Sequence, residues 1–430
     1  MGRNEIFLPN RLIMKYTALG LLILVPVTIL ITGCMTANPA QGFSQSSNGE
    51  QVIIVDALLP LTGSYSSFGE MAKASLITAN DDINRYYQVI GSSRRVNVII
   101  HDTGSNPATA LTLVKQVHEN GRRIILGHMT SAEIAVVKNY TDMNGMVVLD
   151  AGSTSPALSI TGDSIYRLIS DDSAQGQVMG IWLRKNNISA IVPVWRGDIW
   201  GDGLLNSTSS AFSRQNGIIL KGVRFDPNAK EFSAPVASLD VLTGDAINKY
   251  GAERIGVYLI GFDESTEILS EASGKTNLSR VHWFGCDGNT GIASLTGSSP
   301  TTLFATQINM TGTVWGIANI DPLSGPKARI KERLGSEPAS GPIALYDALW
   351  VVMDVLNDVP PDVNQAEIET ALVHHLNTYD GESGSLKTNS AGDRSLASYD
   401  LMEVTGSSLG SSWKKTAHVN IWPDGREEIS

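Results

Sequence analysis

Two hydrophobic rhythms alternate along the chain from residue 51 to about residue 285. Short, nearly continuous apolar runs have the length and β-branched content of buried strands: QVIIVDAL (51–58), VNVIIH (96–101), IIL (124–126), MVVL (146–149), ISAIVPVW (188–195), GIILKGVRF (217–225), RIGVYLIG (254–261) and VHWFG (281–285). Between them the spacing turns helical. One helix is expected from about Glu70, with Leu76, Ala79 and Ile83 on one face. Another follows Asn106, which precedes Pro107, places Ala110, Val114 and Val117 inside, and stops before Gly121. Further helical stretches fall near 173–186, 202–215, 233–250 and 264–273. Strands that are apolar throughout, alternating with helices, predict an α/β protein whose parallel sheets are covered on both faces. In such sheets ligands bind beyond the carboxyl ends of the strands.

Several strand ends therefore draw attention. After IIL comes a small-residue turn in which Thr130 and Glu133 form a capping box, with Ser131 in the same turn. After MVVL, Ser155 precedes Pro156, the residue favoured at a first helical position. Two helix N-termini aimed at one point would suit a small anion, because their first N–H groups lack acceptors. Ordinary strand-to-helix turns carry the same signals. Asp287 follows HWFGC; it suits a cap on the next turn or, facing a cleft, a site for a cation. Trp200 and Phe262, past the VPVW and VYLIG runs, fit either a cleft wall or the core under a loop.

Length and composition narrow the class. A chain of 430 residues can bury a large core and is expected to form two lobes. Its net charge of −11 argues against nucleic acid as a partner. Only Cys34 and Cys286 are present, so no disulfide framework organises the fold. The stretch MKYTALGLLILVPVTILITGC has a basic start, an apolar run and small residues at its end, as signal peptides do. Its close, Ile31-Thr32-Gly33-Cys34, is similar to a lipobox, with Cys34 the lipidated residue; a plain membrane anchor is the alternative. Residues 35–50, rich in Ser, Asn, Gln and Gly, read as a flexible tether. The domain beyond is expected outside the cytoplasm, held to the membrane.

Catalytic patterns fail. Gly406-Ser407-Ser408-Leu409-Gly410 fits a nucleophile elbow, yet only His418 follows and no acid lies between. Gly274-Lys275-Thr276 ends like a phosphate-binding loop, but Leu269 stands where its first glycine belongs. His374 and His375 are helix neighbours that do not share a face, and the other histidines lack ligand spacing, so neither metal nor cofactor is expected.

Taken together, residues 51 to about 405 resemble the type 1 periplasmic-binding fold, specifically the branched-chain amino acid (Leu/Ile/Val) binding proteins of ABC importers. The motifs are VDALLPLTGSYSSFGEMAKASLITANDDIN, HDTGSNPATALTLVKQV, GHMTSAEIA, GSTSPALS and LKTNSAGDR. The resemblance implies two lobes, 51–170 with 306–395 and 171–305 with 396–430, joined by three crossings near 170, 305 and 395. It implies a ligand site in which Ser131, Thr154 and the Gly152 backbone hold an amino acid's carboxylate and part of its ammonium. Asp287 would pair with the ammonium, and Phe68, Trp200 and Phe262 would close over the ligand. The implied function is capture of an amino acid or similar small polar compound and delivery to a membrane permease; the alternative is a sensor of the same fold. Two positions depart from the pattern. Thr130 stands where some relatives have a cysteine, and Trp200 is bulkier than the tyrosine common at its place.

Overall fold

The computed structural model describes residues 43–45, 50–317, 325–360, 363–407, 410–422, 424 and 426–430. The leader, Cys34, most of the tether and Ser408 of the elbow-like motif lie outside the described residues.

The first sheet is built from β1 (Phe43–Gln45), β2 (Gln51–Leu59), β3 (Arg94–Asp102), β4 (Ile124–Gly127), β5 (Val147–Asp150) and β6 (Ile165–Arg167). All its pairings are parallel except β1 on β2. Three helices connect these strands: α1 (Ser66–Val89), α2 (Pro107–Glu119) and α3 (Ser131–Met143). The expected signals operate at two of their starts. Asn106 accepts the Ala108 and Thr109 amides ahead of α2, and Thr130 and Glu133 cap α3 reciprocally. A helix after Pro156 does not form. Only a single 3-10 turn, Pro156–Leu158, is present, since Gly162 takes φ +82° and the chain turns at once into β6.

The second lobe begins with α4 (Asp172–Lys185), β7 (Ala190–Arg196), α5 (Ile199–Arg214), β8 (Ile218–Ile219) and β9 (Val223–Phe225). The stretch 217–225 thus gives two short strands rather than one, both pairing with β7. The interruption faces Pro193, which has no N–H for the ladder, and a Cβ on Gly222 would lie 2.0 Å from the Pro193 carbonyl oxygen. Next come α6 (Ser233–Tyr250), β10 (Ile255–Ile260), α7 (Ser265–Ala272), β11 (His282–Gly285), α8 (Pro300–Gln307) and β12 (Thr311–Trp315). The chain then returns to the first lobe as α9 (Gly325–Leu334), α10 (Ser340–Asp358) and α11 (Gln365–Thr378), with α9 and α10 packing on α1. The hairpin β13 (Asp380–Gly381) and β14 (Gly384–Ser385) precedes β15 (Ala397–Ser407), β16 (Gly410–Ile421) and β17 (Glu427–Ile429), which finish the second sheet.

Two expectations need correction here. Residues 311–315 were expected in the first lobe, but β12 lies in the second sheet, parallel to β11 and antiparallel to β15. The middle crossing therefore comes after residue 315, not near 305. The second sheet is also mixed: β15 returns from the first lobe to pair antiparallel with β12, and β16 and β17 follow it as hairpin-connected antiparallel strands that need no crossover helix.

Candidate functional site

Ser131, Gly152 and Thr154 come together at the carboxyl ends of β4 and β5. Ser131 is the first residue of α3, so its amide and that of Ala132 have no acceptor within the helix. Its Oγ accepts the Ser155 amide at 3.1 Å, the Thr154 amide at 3.3 Å and the Ser153 hydroxyl at 3.1 Å. One side chain thus stitches the second turn onto the first. Asp150, the last residue of β5, does the same from below. It takes the Met129 amide at 2.8 Å from the first turn, and the Gly152 and Ser153 amides at 2.9 and 2.6 Å from the second. Burial nevertheless raises its carboxyl to about 6. Because Asp150 holds the Gly152 N–H, the carbonyl is what Gly152 can offer a ligand. Glycine is needed there: a Cβ would lie 2.6 Å from the Met129 carbonyl oxygen.

The second lobe faces these turns with two carboxylates. Asp172, fully buried at the start of α4, accepts the Thr154 hydroxyl at 2.8 Å and the Gln175 amide at 2.7 Å. The Gln175 carbonyl in turn accepts the Asp287 N–H at 3.0 Å and the Thr313 hydroxyl at 2.7 Å. A hydrogen-bonded chain therefore runs from Thr154 to the backbone of Asp287. Asp287 as a residue is partly covered, but its Oδ1 is sealed from solvent and has no partner. Burial pushes its carboxyl up to about 6; burial and the facing Asp287 charge push Asp172 well up.

Aromatic rings bridge the lobes beside this chain. Trp200 stacks on Phe262, centroids 4.3 Å apart; Phe262 tilts onto Tyr65 at 4.4 Å; Tyr65 stacks on Phe68 at 5.0 Å and on His128 at 5.4 Å. The Asp287 turn lies against these rings, since a Cβ on Gly288 would fall 2.6 Å from Trp200 and 2.8 Å from Phe262. Behind Phe262 sits the Arg196 guanidinium, 4.9 Å from the ring centre, its charge balanced by Asp198 and Glu264.

All seven expected residues thus belong to one locality: Ser131, Gly152 and Thr154 on the first lobe, Asp287 opposite, and Phe68, Phe262 and Trp200 in the ring wall. Sequence reasoning passed over Tyr65, His128, Asp150, Asp172 and Gln175. His128 is the notable omission. Both its ring nitrogens are sealed and unpartnered, and burial lowers its pKa to about 3, so the imidazole is neutral. Tyr65 and His128 stand inside quoted motifs and Asp150 two positions before Gly152, so these three could have been found by their place near expected residues. Cys286 is buried with its thiol pushed well up, which makes it a poor nucleophile.

The fold accords with those of known proteins. A profile of the receptor family ligand binding region matches residues 71–407. An uncharacterised protein of Methanocaldococcus jannaschii is 26% identical over 414 residues, covering 92% of this chain and 97% of that one. The crystal structure of a leucine binding protein from Thermotoga maritima superposes with a TM-score of 0.67 at 21% identity, covering 85% of this chain and 98% of the other. A solute binding protein of an ABC transporter from R. palustris, solved in complex with benzoate, gives 0.68 at 16% identity, covering 84% and 95%. The chain belongs to the receptor family of ligand-binding regions, with the two-lobed fold of the type 1 periplasmic binding proteins.

Proposed function

We propose that the chain is an extracytoplasmic solute-binding protein that takes an α-amino acid between its lobes and hands it to an ABC permease. The observation that carries this reading is the sealed, unpartnered Oδ1 of Asp287 on the lobe facing the N–H- and hydroxyl-rich turns at Ser131 and Thr154. A zwitterion needs an anion site and a cation site separated by a few bonds and shielded from water. The start of α3 with the Ser131 hydroxyl supplies the first. Asp287, with the Gly152 carbonyl, supplies the second, where a charge-assisted bond is strongest. Phe68, Trp200 and Phe262 cover the ligand's side chain. The leucine named for the Thermotoga protein supports an amino acid ligand. The benzoate of the R. palustris protein shows that this fold also serves ligands without an ammonium, for which Asp287 would be a liability.

A thermal-shift screen of amino acids against benzoate and other aromatic acids tests the reading. An amino acid at about 100 times its dissociation constant adds about 2.7 kcal/mol of stability. A response to aromatic acids with none to amino acids would overturn the ligand class.

Tethering through a lipid on Cys34 is part of the proposal. Radiolabelled palmitate should label the full chain and not its Cys34→Ala variant. The receptor description of the family favours one second reading, a sensor that passes ligand occupancy to a membrane signalling partner. Ligand-dependent stimulation of a reconstituted permease distinguishes transport from sensing.

A further inference from the structure

Helix α1 begins without a cap of its own. Its N-cap residue is Tyr65, whose side chain has no oxygen near the backbone to cap with and whose ring packs on Phe262 and Phe68. The missing acceptor comes from the other lobe. Asp263, in the loop between β10 and α7, accepts the Ser67 amide at 3.0 Å and the Ser66 hydroxyl at 3.0 Å through one carboxylate oxygen. Its own N–H donates to the Ser64 carbonyl at 2.9 Å. Three hydrogen bonds from one residue therefore join the second lobe to the first turn of a first-lobe helix. That turn also carries Tyr65 and Phe68, two rings of the cleft wall.

We propose that Asp263 is a positioning residue that caps α1 across the cleft, so that closing the lobes and completing the helix are a single event. The observed hydrogen bonds of Asp263 go to Ser64, Ser66 and Ser67 and to none of the expected ligand-binding residues. When the lobes separate, the Ser67 amide and the Ser66 hydroxyl lose their acceptor and the start of the helix frays, taking Tyr65 and Phe68 out of register. When they close, the carboxylate meets the positive end of α1 and its free N–H groups together. A ligand binds tightly only to the closed form, so its apparent dissociation constant is divided by the fraction closed. Every ligand then feels Asp263 by the same factor, whatever its side chain. The dependence of affinity rests on ligand capture between the lobes; the capping geometry does not.

The test uses Asp263→Ala in the full-length protein, with Asp263→Asn as the conservative rescue, since asparagine caps helices about as well as aspartate. Hydrogen exchange of the ligand-free protein should quicken at least fivefold at residues 66–69 in the alanine variant and return toward wild type in the asparagine variant. X-ray scattering should give a larger radius of gyration for ligand-free Asp263→Ala. With L-leucine and L-threonine as probes, the affinities should weaken by a common factor of about 5 to 30, the fold-change for a lost cap of about 1–2 kcal/mol. Unchanged exchange at residues 66–69 in Asp263→Ala would overturn the proposal, as would faster exchange confined to 262–268 at unchanged radius of gyration. If wild type binds neither probe, the amino acid reading is what fails, and the exchange and scattering results still decide the role of Asp263. Should the alanine variant not fold, Asp263→Ser, which keeps a shorter acceptor, takes its place in the same measurements.

Discussion

Replacing Asp287 by asparagine should make the empty protein more stable and the loaded one weaker. Asp287 is ionised only at a cost, because its Oδ1 is buried without a partner and the Asp172 carboxylate lies within reach of its charge. An aspartate raised from 3.8 to about 6 in the folded protein holds its proton more tightly folded than unfolded. The folded state therefore gains relative stability below the unfolded value and loses it as pH rises through about 6. The difference of about 2 pH units, at about 1.4 kcal/mol each, sets an upper bound near 3 kcal/mol. Partial cover of Asp287 and proton exchange with Asp172 reduce it, so a gain of about 1–3 kcal/mol is expected for Asp287→Asn at pH 7.5. Near pH 4 the gain should vanish, since wild type is then protonated and equally neutral. Urea unfolding of both proteins at the two pH values measures this directly. Calorimetry with the best amino acid of the screen should show binding weakened by about 1.5–3 kcal/mol, the worth of a hydrogen bond to a charged group. An Asp287→Asn protein less stable than wild type at pH 7.5, or a difference that does not change with pH, would refute the burial argument. Unchanged affinity would remove Asp287 from the site.

Other substitutions probe the frame around the proposed site. Ser131→Ala removes the acceptor of the Thr154 and Ser155 amides and should cost about 1–3 kcal/mol in urea unfolding, with loss of amino acid binding. Gly152→Ala puts a methyl 2.6 Å from the Met129 carbonyl oxygen; a cost of about 1–3 kcal/mol is expected, and unaltered melting would contradict the close approach. Asp393→Asn leaves the Arg167 guanidinium buried without its counter-charge and should cost about 3–5 kcal/mol. A joint Arg167→Met, Asp393→Leu protein should lose less than the two single changes summed, as a double-mutant cycle would register.

Much of this was legible because it is local. The caps at Asn106 and Thr130 and the bounds of α4 and α6 follow from residues within a few positions of one another. What escaped depends on distant partners. Asp150 closes an apolar run like any strand-ending aspartate; its importance comes from Met129, which is 21 positions away. β12 follows α8 with a five-residue run, TGTVW, and owes its place to β15, some 85 residues later. The turn at Pro156 shows the reverse failure: the start signal is present, but the nine residues from Ser155 to Asp163 contain no apolar face to carry a helix forward. Asp172 and Gln175 look like ordinary first-turn residues of α4; Asp172 finds its partner Thr154 on the opposing lobe, and Gln175 finds Asp287 and Thr313 more than a hundred residues further along its own lobe.

The buried Arg167–Asp393 pair has a mechanical meaning. Arg167 ends β6 just before the first crossing, and Asp393 lies just before the last. Their backbones are joined as well, through Arg167 N–H to the Gly392 carbonyl and Arg394 N–H to the Arg167 carbonyl. The same guanidinium holds the Ser155 carbonyl at 2.8 Å, fastening the turn after β5 to this junction. Two of the three connecting segments are thus riveted to each other on the first-lobe side and cannot twist independently there. Leu168 and Ser395 are held too, their N–H groups on the Asp150 and Lys387 carbonyls, so rotation between the lobes would be absorbed beyond them, at 169–171 and 396, at the edge of the second lobe. The Ser155 turn and the first lobe are thereby one piece, and Asp287, Trp200 and Phe262 belong to the piece across the pivot.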